Sequence, residues 1–132
     1  MAMEFTSSQF SIDEEEAKKF ACLYDSIPIH IEEFPNNPFI KVRCVSGILV
    51  QGLINRILVS QHSYEKLICA TGINIDFHKP VFTSTQMYLK VRYSQQLNSR
   101  KNAFRRVSEC HLISAVDKLL LVTYKVNHLI KV

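Results

Sequence analysis

The sequence predicts a single α+β domain, spanning residues 1–132, in which an antiparallel sheet packs against one buried helix. Three observations lead to this fold class: residues 46–60 are apolar nearly all round, a two-residue period follows them, and short turn-like segments join the periodic stretches. A helix that is apolar on most sides has to be buried on most sides. Strands joined by short turns favour antiparallel pairing. We therefore expect a strand, a helix, a loop, the buried helix and then four strands.

The first helix is predicted from "SIDEEEAKKFACLY". Ser11 followed three residues later by Glu14 is a capping-box pattern, and acidic side chains in the first turn suit the helix dipole. Pro28 disfavours continuation, so the helix should end near Tyr24 or Asp25. One apolar face is formed at helical spacing by Ala17, Phe20, Ala21 and Tyr24. The next segment, "IEEFPNNPFIKVR", reads as a loop that can hold one short helical turn.

The buried helix corresponds to "SGILVQGLINRILVS", with Ser46 as its cap and Gly47 as its first residue. After it, Ile73, Ile75 and Phe77 alternate with polar residues, as in a strand with one buried face. The four predicted strands are "GINIDFHKP", "QMYLKVRY", "NAFRRVSECHLIS" and "LLLVTYKVNHLI". The stretches "QQLNSRKN" and "SAVDK" are predicted to be hairpin connections.

Composition excludes several function classes. The chain is 47% hydrophobic and 21% charged, as in an ordinary globular protein. No stretch reaches about 18 apolar residues, so no membrane span is expected, and "MAMEFTSSQF" has no signal-peptide pattern. The formal charge of +4 is mild, and no basic stripe with interleaved aromatics indicates nucleic-acid binding. We expect a cytoplasmic protein that binds neither a membrane nor nucleic acid.

Cysteine and histidine spacing does not predict a metal site. The cysteines are Cys22, Cys44, Cys69 and Cys110. Without a CxxC pair, they are expected to be small buried hydrophobes with free thiols, which fits a reducing cytosol. The scattered histidines are His62, His78, His111 and His128. None of them has a partner at metal-ligand spacing.

The stretch "DSIPIH" holds a carboxylate and an imidazole, Asp25 and His30, on either side of a proline. A loop of six residues can bring both side chains to one point, where they could share a water molecule. One group would then remove a proton while the other donates one, as in general acid–base catalysis. The alternative is that Asp25 only terminates the helix and His30 is an ordinary surface residue.

Two further features invite a functional interpretation. If the buried helix begins at Gly47, its N–H is an unused donor at a positive helix end and can polarise a carbonyl oxygen. The alternative is a glycine tolerated for packing. The basic residues of "RKNAFRR" could meet phosphates or form a solvated face; they are Arg100, Lys101, Arg105 and Arg106.

Taken together, these segments resemble the MaoC-like, (R)-specific enoyl-CoA hydratases over nearly the whole chain. "FACLYDSIPIHIEEF" resembles their D-x-N-P-[IL]-H segment, and "CVSGILVQGLINRIL" resembles their [IV]-x-H-G-M-L…S segment. "INIDFHKPVFTSTQMYLKVRY" resembles the strands that follow. The resemblance implies a hot-dog fold, with an antiparallel sheet wrapped around one long central helix, and a homodimer with acyl tunnels near its interface. It also implies reversible addition of water to trans-2-enoyl-CoA, giving (R)-3-hydroxyacyl-CoA.

By position, Asp25 and His30 match the catalytic pair of that family, and Gly47 matches the glycine whose N–H binds the thioester carbonyl. One tunnel wall would come from the central helix and residues 81–82. The substrate would be an acyl-CoA, or an acyl group on a carrier protein, and no cofactor beyond the CoA of the substrate is implied.

The sequence departs from the family pattern at three places. Ile27 replaces a usual asparagine, Ser46 replaces a histidine, and Gly52 replaces a serine that often supports the catalytic aspartate. Fewer hydrogen bonds to the Asp25–His30 pair would position it less firmly, and a small misplacement of catalytic groups lowers the hydration rate. Two other functions therefore remain open: a hot-dog thioesterase, and a catalytically weak or inactive domain that binds acyl-CoA or regulates a partner.

Overall fold

The structure is a computed structural model that describes residues 2–60, 66–98, 100 and 102–132. Within these residues the helices and strands are, in chain order, β1 Ala2–Thr6, α1 Glu14–Tyr24, α2 Pro28–Ile31, α3 Gly47–Ser60, β2 Leu67–Phe77, β3 Met87–Asn98, β4 Ala103–Ser114 and β5 Leu120–Lys131. This order matches the predicted one, with α2 as an additional short helix.

The strands form one antiparallel sheet in the order β1-β3-β4-β5-β2. The consecutive strands β3, β4 and β5 are neighbours, as short connections require. β2 does not pair with the strand that follows it in sequence but lies beyond β5. The α+β class and the four strands after the buried helix are thus confirmed. β3 runs on to Asn98, so the first half of "QQLNSRKN" belongs to the strand and not to the predicted connection. The buried face predicted for β2 is only partly found, because Ile73 and Phe77 are about half exposed.

The core lies between α3 and one face of the sheet, where apolar side chains exclude water from both elements. The helix contributes Leu49, Val50, Leu53, Ile54 and Leu58. The sheet contributes, among others, Met87, Leu89, Leu112, Val122 and Tyr124. The expectation of burial on most sides is only partly correct, because Ile48 is 57% exposed and Gly52 is exposed as well. One face of α3 is therefore left open.

The start of α1 differs from the prediction. Its N-cap is Asp13, whose carboxylate accepts a hydrogen bond from the N–H of Glu16 at 2.9 Å, and not Ser11. Ile12 is buried, so the chain is still anchored to the core one residue before the cap. The helix ends at Tyr24, as predicted, with Asp25 as its C-cap. Tyr24 itself is exposed, so the predicted apolar face is buried only in part.

The segment that leads into α3 is fastened by backbone hydrogen bonds to α2 and to the connection between β2 and β3. The helical turn expected within residues 31–43 is not found; the short helix α2 lies before that loop, at Pro28–Ile31, with the proline at a position where no N–H is needed. The N–H of Cys44 donates to the carbonyl of Ile29 at 2.9 Å, and the N–H of Val45 donates to the carbonyl of Val81 at 2.7 Å. These bonds place α2 and the start of α3 side by side.

The cysteines are free thiols, as predicted, but only two of them are buried. Burial raises the pKa of Cys44, and it raises the pKa of Cys110 to about 12. Cys22 and Cys69 are exposed, which corrects the expectation for them. No helix among the described residues is long and apolar enough to cross a membrane.

Candidate active site

Asp25 and His30 come together at the junction of α1 and α2. Oδ2 of Asp25 lies 3.5 Å from Nε2 of His30. Asp25 is held because it caps α1 with its backbone N–H on the carbonyl of Ala21 at 2.9 Å. His30 is buried on α2, only three residues after Ile27, which precedes the helix. The proline turn thus folds the imidazole back towards the carboxylate.

The orientation of the imidazole is fixed by a backbone carbonyl. His30 Nδ1–H donates to the carbonyl oxygen of Cys44 at 2.9 Å. A carbonyl only accepts hydrogen bonds, so Nδ1 carries the proton and Nε2 faces Asp25. The thiol of Cys44 lies 3.6 Å from the same nitrogen. A backbone partner of this kind is the usual device that sets which ring nitrogen is available for chemistry.

Ser46 is the second partner of Asp25. Its hydroxyl donates to Oδ2 at 2.6 Å, and the residue is only 1% exposed. One of the three departures from the family pattern therefore supplies a hydrogen bond to the carboxylate. Gly52, in contrast, is exposed, and a Cβ added there would meet nothing within 4 Å. Ile27 is 47% exposed, so its side chain is not packed in the core.

Gly47 is the first residue of α3, as predicted, and the ring of Phe77 packs directly against it. A Cβ added at Gly47 would lie 2.6 Å from Cζ of Phe77, closer than real side chains approach. The packing explanation for this glycine is therefore supported by the structure. An N–H at this position has no partner in the helix's own ladder, so packing and oxyanion binding are compatible.

A cavity of about 440 Å³ joins these parts. Its lining includes His30, Cys44, Gly47, Val50, Phe77 and Val81. The Asp25 carboxylate does not line it and lies next to the imidazole instead. An apolar cavity with a few polar groups at one end is the usual form of a small-molecule site. Phe82, the second residue of the predicted wall, faces a different depression.

Sequence patterns did not single out Cys44 or Phe77 as functional residues. The sequence predicted Phe77 only as the last apolar position of a strand face, and it predicted Cys44 only as a buried cysteine. Their contacts with His30 and Gly47 join residues 14 and 30 positions apart, respectively. Such contacts become visible only once the loop and the sheet are assembled.

Of the residues that the structure describes, the remaining sequence candidates that line the cavity are Val81 of the predicted wall and His78. The basic cluster is divided: Arg100 and Arg105 line a shallow depression, whereas Arg106 stacks on Tyr93 at 4.7 Å. Lys101 and His62 lie outside the described residues.

His78 lines the cavity and bonds Thr123 at 2.8 Å. His111 lies beside Glu109, and His128 is buried in the sheet. Among the described residues, no group of three His, Cys, Asp or Glu side chains could hold a metal ion.

Solved structures provide the comparison with known proteins, since no protein-family model and no curated protein matches the sequence. A MaoC-like dehydratase from Rhodospirillum rubrum superimposes with a TM-score of 0.84 at 15% identity, covering 98% of this chain and 91% of that one. An (R)-hydratase from A. caviae involved in PHA biosynthesis gives 0.69 at 18% identity, covering 100% and 94%.

A 1,4-dihydroxy-2-naphthoyl-CoA thioesterase from Synechocystis is also similar, with a TM-score of 0.65 at 11% identity, covering 97% of this chain and 82% of that one. Identities this low establish a common fold and leave the reaction open. The chain has the hot-dog fold of the MaoC-like dehydratases and (R)-hydratases, as the sequence resemblance implies.

Proposed function

We propose that the protein is an (R)-specific enoyl-CoA hydratase, a hydro-lyase that adds water reversibly to trans-2-enoyl-CoA and gives (R)-3-hydroxyacyl-CoA. The observation that carries this proposal is the Asp25–His30 pair, 3.5 Å apart, whose imidazole lines a largely apolar cavity. The fold shared with proteins described as a dehydratase and an (R)-hydratase supports it.

The chemistry follows from the two protonatable groups. Water adds its oxygen to C3, one group of the pair takes a proton from that water, and the pair gives one proton to C2. The pair ends in its starting protonation state, as reversible hydration requires. In a neutral imidazole whose proton is on Nδ1, as the bond to the Cys44 carbonyl requires, Nε2 has a lone pair that suits the role of proton acceptor. The Ser46 hydroxyl donates to the Asp25 carboxylate and holds it beside the imidazole.

Negative charge develops on the thioester oxygen as water adds, because the intermediate is an enolate. A donor at the start of a helix stabilises such charge, and it is already in position before the reaction. The Gly47 N–H is the candidate donor, since Gly47 begins α3 and lines the same cavity as His30. The acyl chain would lie along Val50 and Val81, whose side chains are apolar. The residues in these roles need no cofactor of their own.

We further propose that two copies form a homodimer through β2. Within the described part of the chain, this strand pairs with β5 alone, so its other edge offers unpaired backbone groups. Three of its apolar side chains are about half exposed: Ile68, Ile73 and Phe77. Ile48 on the open face of α3 is exposed as well. A second copy paired along β2 would cover an edge that is otherwise prone to aggregation.

An assay with crotonyl-CoA and a longer trans-2-enoyl-CoA tests the function. Hydration removes the conjugation of the enoyl thioester, so we expect a loss of its absorbance and formation of the (R)-3-hydroxyacyl product. If the absorbance stays unchanged with both substrates, at protein concentrations high enough to bind them, the proposal is contradicted.

The thioesterase alternative has one specific observation in its favour, the structural similarity to the Synechocystis enzyme. The same reaction mixtures distinguish it, because hydrolysis releases free CoA thiol and hydration does not. Tight acyl-CoA binding with neither product would instead support a non-catalytic binding domain.

A further inference from the structure

The half-exposed ring of Phe77, at the end of β2, fills the space beside the start of α3. The tip of the Phe77 ring points at Gly47, because a Cβ added there would lie 2.6 Å from Cζ and 3.1 Å from each Cε. Distances this short mean that even a methyl group would displace the ring. Glycine at position 47 is thus matched to phenylalanine at position 77.

Both backbones that carry this contact are anchored. Directly after Phe77, the N–H groups of His78 and Lys79 donate to the carbonyl of Leu121 at 2.8 and 3.3 Å. Two residues before the start of α3, the N–H of Val45 donates to the carbonyl of Val81 at 2.7 Å. Relief of a clash at Gly47 would therefore have to come from rotation of the ring, not from separation of the two elements.

We propose that Phe77 is a specificity-determining residue that excludes acyl groups branched at C2, so that the substrates are straight-chain 2-enoyl thioesters. This inference rests on the proposed function, since it places the thioester oxygen at the Gly47 N–H. C2 is bonded directly to the carbonyl carbon and must lie within a few ångströms of that N–H. A methyl group on C2 enters the space that the ring fills, whereas an unbranched chain runs past it along the cavity wall.

The experiment compares butyryl-CoA with 2-methylbutyryl-CoA, two saturated ligands that cannot be hydrated, by titration calorimetry. The rates with crotonyl-CoA and 2-methylcrotonyl-CoA are measured alongside. One misplaced methyl group in an apolar pocket discriminates by about 10–200-fold. We expect the natural protein to prefer the straight-chain ligand by at least about tenfold, and Phe77→Ala to remove most of that preference.

Two further variants make the test specific. Phe39→Ala is the matched control, because Phe39 is 89% exposed and does not line the cavity; its selectivity should equal that of the natural protein. Gly47→Ala should weaken acyl-CoA binding and lower the melting temperature. Adding Phe77→Ala should restore part of both, as a non-additive double-mutant cycle between touching residues. If Phe77→Ala unfolds, Phe77→Leu provides the smaller change.

The outcomes separate this inference from the proposed reaction. A folded Phe77 variant with the selectivity of the natural protein overturns the inference, whatever the hydration rates are. The natural protein could bind the straight-chain ligand selectively, lose that selectivity in Phe77→Ala and show no hydration. That result supports the inference and overturns the proposed reaction. A protein that binds neither saturated ligand and hydrates neither enoyl thioester overturns both.

Discussion

At the scale of single residues, one carboxylate oxygen organises the candidate site. Oδ2 of Asp25 accepts from Ser46 and faces His30, and the other imidazole nitrogen is bound by the backbone of Cys44. Each of these groups sits at an end of a helix or directly beside one. The spacing of the pair is therefore set by short side chains on anchored backbone, which favours the preorganisation that acid–base catalysis needs.

Replacing either member of the pair should abolish most of the hydration. We expect Asp25→Asn and His30→Ala each to lower the rate by about 10²-fold or more, the usual contribution of a positioned acid or base. Asp76→Asn and His111→Ala, both at solvent-accessible positions outside the cavity, are the matched controls and should keep the full rate. Steady-state kinetics and melting temperatures are measured together. Near-normal turnover of either site variant, correctly folded, would show that the acid–base assignment is wrong.

Ser46 should matter more than its departure from the family pattern suggests. Ser46→Ala removes a buried hydrogen bond to a charged group, worth about 1.5–3 kcal/mol. If that energy holds Asp25 in place, the rate should fall by one to two powers of ten. Gly52→Ser is the paired variant, and it should change the rate little because the space beside Gly52 is open. Equal rates for Ser46→Ala and the natural protein would remove Ser46 from the site.

At the scale of helices and strands, α3, β3, β4 and β5 were predictable because their apolar periods are long. The burial of β2 was not, because Ile73 and Phe77 of its predicted apolar face are about half exposed. The start of α1 was not, because Ser11 with Glu14 and Asp13 with Glu16 both satisfy the capping pattern. The burial of Ile12, a tertiary contact, decides between them. The direction of the Ser46 hydroxyl, towards Asp25, likewise depends on a helix end 21 residues away. Local pattern gives the elements, and their packing sets the side-chain partners.

β5 carries a buried histidine that should make stability depend on pH. His128 is 2% exposed, its Nδ1 has no hydrogen-bond partner among the described residues, and Arg106 lies directly opposite on β4. Burial first, and then the positive charge of Arg106, lowers the pKa of His128 below 6.5. The unfolded chain thus binds a proton at a higher pH than the folded one, so unfolding becomes easier as the pH falls from 6.5 through the folded pKa.

His128→Leu should flatten this acid dependence. The measurement is the free energy of unfolding from urea titrations between pH 7.5 and 5, approximate limits that bracket the ordinary histidine pKa. Ser108→Ala is the control, since Ser108 is a buried polar residue on the neighbouring strand β4 that carries no titratable group and should leave the slope unchanged. A His128→Leu variant that loses stability with falling pH as steeply as the natural protein would contradict the assignment.

At the scale of the whole molecule, the sheet ends in two unlike edges. β1 is a five-residue strand paired with β3, whereas β2 has eleven residues paired with β5. A long edge with exposed apolar side chains is the better template for a second copy. The predicted homodimer follows from this asymmetry together with the family resemblance, and its interface would lie next to Phe77 and the cavity.

A charge on β2 should separate the dimer. We expect Ile73→Lys to shift the sedimentation coefficient from that of a dimer to that of a monomer at micromolar concentration. Met3→Lys, which places the same charge at an exposed apolar position of the other edge strand, should leave the dimer intact. A natural protein that sediments as a monomer, or a dimer that only Met3→Lys disrupts, would exclude the β2 interface.

The strand order also imposes a sequence of events during synthesis. β2 can join the sheet only through β5, the last of these strands to leave the ribosome. Until then α3 lacks part of its cover, and Phe77 cannot be fixed against Gly47. The acid–base pair lies in the first third of the chain, but its cavity is complete only after the final strand has been synthesised. Contacts between such distant segments form slowly and leave apolar surface exposed until they form. We expect chains arrested before residue 120 to bind chaperones or a hydrophobic dye, and we expect release of the full chain to end that binding. Arrested chains that bind neither would show that the apolar side chains of α3 are buried without β5.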